Sequence, residues 1–219
     1  MLDRILKRLP LNFYPYVQYM HRRQVIFIHI PKNAGSSVLK LLGSNDARWH
    51  TKWIHYRRAS YYFFNKYHKF AIVRHPLDRL YSCYRYCIKG GNQLPDDLAL
   101  KNCIDEKSSD FNSFILNVLD SELLMREIIF QPQYLYVFDK SLTCQVDTLL
   151  RYETLSSDWK DLAKTLNLPS NLPWVNASRP QEQREKDNQD ELAQLALCDE
   201  AKEKVNELYR LDFTLFDYR

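Results

Sequence analysis

Two short runs of β-branched and aromatic residues, Val25-Ile-Phe-Ile-His-Ile30 and Lys69-Phe-Ala-Ile-Val73, each break at once into a tight loop and an apolar-faced helix. Runs of this length and composition read as buried strands. After the first, Asn33-Ala-Gly-Ser-Ser37 supplies small and capping residues, and Val38, Leu39, Leu41 and Leu42 give the helix its face. After the second, Pro76 suits a first helical turn, with Leu77, Leu80, Tyr81 and Tyr84 on one side. A strand, turn, helix unit occurring twice predicts an α/β layer fold with a mainly parallel sheet. Further strands are expected weakly around 48–54, then at 134–138 and 148–152. Helices are expected over 55–67, 110–119, 159–166 and 191–209.

At 219 residues the chain is expected to be a single domain, 1–219, with a lead-in over 1–24 and a loop insertion over 89–109, which holds Gly90-Gly91, Pro95-Asp-Asp97 and Ser108-Ser109. Hydrophobic residues at 45%, charged residues at 26% and only four glycines exclude disordered and collagenous classes. No period of 20 to 50 residues repeats, which argues against a solenoid or propeller. Neither an 18-residue apolar run nor a signal-type leader is present, so a soluble, cytoplasmic protein is expected. Five cysteines without framework spacing read as reduced thiols. Cys83 and Cys87, four apart, fit small apolar side chains on a helix better than a metal site. The net charge of +4 favours an acidic ligand without requiring nucleic acid.

The loop from His29 to Ser37 leaves a strand and opens a helix, which sets backbone N–H groups at the positive end of the helix dipole. Lys32 adds a charge, and Ser36 and Ser37 add hydroxyl donors. A nucleoside-triphosphate P-loop has its lysine after the second glycine, whereas here Lys32 precedes the single glycine, Gly35. The segment reads as a phosphate-type cradle of another arrangement, or else as a capped turn with a surface lysine. In the second segment Arg74 ends a strand and Ser82 sits two turns into the helix, where a guanidinium can fork onto an anion. The alternative is a surface pairing of Arg74 with Asp78, or of Asp78 with Arg79. Two anion sites suit one ligand with two phosphates.

Both segments resemble the sulfotransferases that use 3′-phosphoadenosine 5′-phosphosulfate, in particular the carbohydrate-modifying group with the heparan 2-O- and chondroitin sulfotransferases. His29-Ile-Pro-Lys-Asn-Ala-Gly-Ser-Ser37 is similar to that group's 5′-phosphosulfate loop, and Val73-Arg-His-Pro-Leu-Asp-Arg-Leu-Tyr-Ser-Cys-Tyr84 to its 3′-phosphate segment. Looser likeness continues through Gln131-Pro-Gln133, Val146 to Glu153, Asn176-Ala-Ser178 and the stretch from Tyr209 to Tyr218. The resemblance implies a three-layer, P-loop-like fold, a phosphosulfate donor with the 3′,5′-bisphosphate as product, no required metal, and a saccharide or glycolipid acceptor. It assigns Lys32, Asn33, Ala34, Gly35, Ser36 and Ser37 to the 5′-phosphosulfate, Arg74 and Ser82 to the 3′-phosphate, and Ser178 to closure over the nucleotide. Since the animal enzymes carry an N-terminal anchor and none is seen here, a bacterial enzyme of polysaccharide or glycolipid assembly is expected.

Sulfuryl transfer requires an oriented hydroxyl, a base for its proton and a cation for the departing phosphate. Lys32 suits the last role. His55 is the leading base, by resemblance to the histidine that heparan 2-O-type enzymes carry upstream of the 3′-phosphate strand; His50 is its rival, and Glu153 a distant third. His29 reads as a core histidine supporting the loop, and His75 as a turn former. Tyr61-Tyr-Phe-Phe64 offers rings for packing or for sugar stacking; His21-Arg-Arg23 and Arg57-Arg58 offer a solvated face or an acidic-glycan contact. Asn176-Ala-Ser178 also matches a glycosylation acceptor, which a chain without a signal peptide does not meet. No hydrolase nucleophile elbow is present. The rival readings are transfer to a small alcohol, phenol or lipid, a non-catalytic nucleotide- or polyanion-binding module, and a nucleoside-triphosphate kinase.

Overall fold

The computed structural model describes residues 13–44, 49–173 and 197–219. In chain order the elements are α1 (Gln18–Arg23), β1 (Val25–Ile28), α2 (Gly35–Leu42), α3 (Trp53–Ala59), α4 (Tyr61–Lys66), β2 (His68–Val73), α5 (Pro76–Ile88), α6 (Pro95–Lys107), α7 (Phe111–Asn117), α8 (Ser121–Arg126), α9 (Tyr134–Val137), β3 (Thr148–Arg151), α10 (Leu155–Leu166), α11 (Asp199–Leu208) and α12 (Arg210–Leu215). The three strands form one parallel sheet in the order β1-β2-β3. Its crossovers are helical, as parallel neighbours require, and the fold is α/β.

The chain divides into two compact units, Met1–Val73 with Gln133–Ala177, and Arg74–Pro132 with Ser178–Arg219. The first holds the sheet. Every side chain of β1 is buried, as are all of β2 after His68, the mark of a strand covered on both faces. Phe27 and Phe70 stack across β1 and β2 with centroids 5.0 Å apart, and Trp159 of α10 lies 6.1 Å from Phe70. Lys69, buried in this sheet, donates to the carbonyls of Phe64 and Tyr67 and pairs with Asp147 at 2.8 Å. The second unit is helical around Leu80, Cys83, Tyr84, Cys87, Phe114 and Phe130, with Val205 and Tyr209 from α11 and its end. Cys83 and Cys87 are thus core residues.

Four expectations for secondary structure are corrected. Of residues 134–138, Tyr134–Val137 form the short helix α9, whose backbone bonds close locally from Gln133 and Tyr134; a five-residue apolar run does not separate strand from helix by pattern. No strand lies at 49–54, where α3 starts at Trp53, and the expected single helix over 55–67 is broken at Ser60, whose hydroxyl caps α4 by accepting from Phe63 N. The expected loop at 89–109 contains α6, a 13-residue helix with Pro95 in its first turn beside Asp96 and Asp97. Only Ile104 of α6 is buried, so it carries no apolar stripe to be read. By contrast Asp110 caps α7 in a capping box with Ser113, as its sequence predicts. Of the helix expected over 191–209, residues 191–196 lie outside the described residues.

His21, only 1% exposed, sits among the rings of Phe13, Tyr16, Phe63 and Tyr67. Its Nδ1 lies 2.9 Å from the Tyr67 hydroxyl, and its buried Nε2 has no hydrogen-bond partner among the described residues. Burial holds its pKa below the ordinary imidazole value. Burial likewise lowers His68, with Asp147 opposing and Lys69 adding. A folded pKa below the unfolded one means that the unfolded chain takes up protons first. Stability is therefore full above about pH 6.5 and is lost as pH falls through that value. Thermal unfolding between pH 8 and 5 is expected to show a midpoint that drops below about pH 6.5, less steeply in His21→Gln; equal slopes for the two proteins would exclude His21 as the cause.

Candidate active site

The loop between β1 and α2 is built from backbone conformations that few side chains adopt. Lys32 has φ 67° and Ala34 φ 58°, both left-handed, on either side of Asn33. Such residues cost about 1–3 kcal/mol each and persist where their surroundings over-determine them. Alternation of hand curls successive N–H groups into a concavity for an anion. Ala34 precedes α2 without supplying a side-chain cap, so the first-turn amides are not consumed by one.

Asn33 fixes the loop from inside. Its buried Nδ2 donates to Ile72 O and to Gln133 Oε1, each at 2.7 Å. Asn33 therefore braces the cradle from the protein side, a role its sequence position does not reveal. Gln133, fully buried, was visible only as part of the loose Gln131-Pro-Gln133 likeness.

Gly35 meets His29. A Cβ on Gly35 would overlap the imidazole of His29, and that ring has little room to move. It is 6% exposed, stacked on Phe27 at 5.6 Å and set against His50 at 4.3 Å between centroids. His29 is thus the supporting core histidine that the sequence suggests.

His50 and His55 occupy different surroundings. His50 is half-buried, and its Nδ1 lies 3.0 Å from the backbone oxygen of His29. A carbonyl only accepts, so Nδ1 carries the proton and the lone pair falls on Nε2. His55 is exposed on the first turn of α3. Between them Lys52 is half-buried, 5.5 Å from the centroid of the Tyr136 ring, and burial lowers its pKa. Nothing in the sequence singled out Lys52. Glu153 is half-buried just beyond β3.

In the second unit Arg74 is buried immediately before the N-cap of α5, and Ser82 is half-buried on that helix. His75 caps α5 through its backbone, accepting from Arg79 N at 2.9 Å, and its Nε2 lies 3.0 Å from the backbone oxygen of Arg219. A structural role fits it. Arg79 is not part of a surface pair: it is fully buried, donates to the carbonyls of Ile129 and Gln131 at 3.2 and 2.8 Å, and lies over the Tyr209 ring. Ser178 and Asn176 lie outside the described residues.

A strand-to-helix loop that carries Lys32 and opens α2 on a parallel sheet is an arrangement suited to an anion. Residues 17–219 match the model of the sulfotransferase family. The chain belongs to that family and is an enzyme that takes a sulfuryl group from 3′-phosphoadenosine 5′-phosphosulfate, leaving the 3′,5′-bisphosphate. No curated protein and no solved structure matches it.

Gly35→Ala is expected to lower stability by about 1–3 kcal/mol through overpacking. Adding His29→Ala should recover part of that loss, because the clash is with the imidazole. Denaturant unfolding of the two single variants and the double variant measures the coupling; strict additivity would mean that Gly35 is required for another reason.

Proposed function

We propose that the acceptor is a hydroxyl of a saccharide or glycolipid and that His50 is the base, with His55 the alternative. The observation that carries the choice of base is the His50 Nδ1 to His29 O bond. It ties the imidazole to the backbone that leads into the cradle and leaves Nε2 as the basic nitrogen. The acceptor class is supported by the likeness of the two anion segments to the carbohydrate-modifying sulfotransferases.

In this reading the acceptor oxygen attacks sulfur as His50 Nε2 takes its proton, and the bond from sulfur to the phosphate oxygen breaks in line. Lys32 and the amides of residues 33–36 meet the charge that returns to the 5′-phosphate. Asn33 contributes through its backbone while its side chain holds the loop. Arg74 and Ser82 take the 3′-phosphate, with the guanidinium supplying a forked contact, and Ser178 closes over the nucleotide. Transfer to a small alcohol, phenol or lipid uses the same donor chemistry and is separated by a panel of acceptors.

Adenosine 3′,5′-bisphosphate should raise the thermal midpoint where ATP with Mg²⁺ does not; at about 100 times its dissociation constant a ligand adds about 2.7 kcal/mol to the folded state. With the phosphosulfate donor, His50→Ala is expected to lower kcat by about 10²–10⁴-fold while keeping the bisphosphate shift, and His55→Ala to change it little. The reverse order would hand the role to His55. A shift with Mg-ATP alone would remove the assignment of the two anion segments.

A further inference from the structure

Residues 13–77 contain eleven Lys and Arg and a single acid, Asp46, so a chain of net +4 carries +10 over this stretch and −6 over the rest. That asymmetry is large enough to orient the first unit toward an anionic partner. Five acids and four Lys and Arg join this unit from 133–177, a net of −1 that leaves its positive balance in place, and three of the acids are engaged locally. Asp147 pairs with Lys69, Asp139 accepts from Ser141 N and Thr143 N, and Asp158 accepts from Arg151 N and the Thr154 hydroxyl.

The same stretch holds the open aromatic rings. Phe13, Tyr14, Trp49, Tyr61 and Tyr62 are all exposed, and among the described residues no aromatic ring outside 13–77 is. These groups adjoin one another. The half-buried Phe63 ring is 6.2 Å from Phe13, 4.9 Å from His21 and 5.4 Å from Tyr62. It thereby joins the turn at 13–16, the end of α1 with its exposed Arg22 and Arg23, and α4. Arg57 lies over both Trp53 and Tyr61, and Lys66 over Tyr62. Arg58 is exposed beside them, and Tyr14 meets Trp49 edge-on.

We propose that this face of the first unit lies on an anionic lipid surface. Cations alone would suit any polyanion. Tyr and Trp rings can stack on a sugar face, but the exposed Phe13, which has no polar tip, and Trp and Tyr rings set beside Lys and Arg are what a headgroup interface accommodates. Among the described residues no helix is long and apolar enough to cross a membrane, so the contact is one of surface. It goes beyond the proposed transfer reaction, and brings the enzyme to acceptors carried on lipid.

The test is co-sedimentation of the full chain with vesicles of phosphatidylcholine alone and of phosphatidylcholine with 30% phosphatidylglycerol, with polygalacturonate as soluble competitor. Binding is expected only to the phosphatidylglycerol vesicles and is expected to weaken in high salt. At about 1 kcal/mol per cation near such a surface, Arg57→Glu with Arg58→Glu should weaken it by at least roughly 30-fold. Tyr61→Ser with Tyr62→Ser should weaken it while leaving the salt dependence. Each variant is checked for an unchanged melting midpoint and an unchanged bisphosphate shift, and Arg57→Gln with Arg58→Gln replaces any that fails. Equal binding to both vesicles, no binding to either, variants that bind like the parent, or displacement by polygalacturonate at matched charge would each overturn the proposal. The bisphosphate shift reports on the donor site separately, so loss of one reading leaves the other intact.

Discussion

The carboxamide of Asn33 is the contact on which the cradle depends. The β1–β2 ladder ends with Ile28 opposite Ala71, because β1 must leave the sheet to make the loop. One residue further, the carbonyl of Ile72 has lost its strand partner, and Asn33 Nδ2 takes it. A buried carbonyl left unmet costs about 1–3 kcal/mol, so the loop is drawn back onto the sheet edge by the need its own departure created. The second hydrogen of the same amide reaches Gln133, a hundred residues along the chain and just ahead of α9. One side chain thus ties together the first crossover, the middle strand and the segment that leads into α9.

That bracing explains how two left-handed non-glycine residues are tolerated within three positions. Lys32 and Ala34 are each held in a conformation that an isolated chain avoids, and the buried amide between them limits relaxation to an ordinary turn. The only glycine in the loop is kept for space rather than for its dihedral freedom: Gly35 begins a regular helix, and what it avoids is the imidazole of His29.

The architecture was legible where hydrophobic runs were long and bounded, as at β1 and β2, and where caps were explicit, as at Asp110. It was not legible at α6, a helix with one buried side chain, or at α9, where five apolar residues fit either period. The strand-to-helix turn around Lys32 could be read from order and spacing, because β1 and the apolar face of α2 bound it on either side. Arg79 could not: flanked by Asp78 it reads as a surface ion pair, and only the fold shows a guanidinium buried on two carbonyls. Nor could Asn33, whose type suits a cap as well as a brace. The relative standing of His50 and His55 was opaque for a similar reason, since a backbone acceptor such as His29 O leaves no sequence signal.

His29 links these features. Its ring fills the space over Gly35 and so sets how closely α2 approaches the strand. The same ring packs against His50, and the same residue's carbonyl accepts from His50 Nδ1. The cradle and the imidazole proposed to work beside it are therefore positioned by one residue, through its side chain on one side and its backbone on the other. A change in the size of residue 29 shifts both together, whereas a change at His50 leaves the packing of His29 over Gly35 in place.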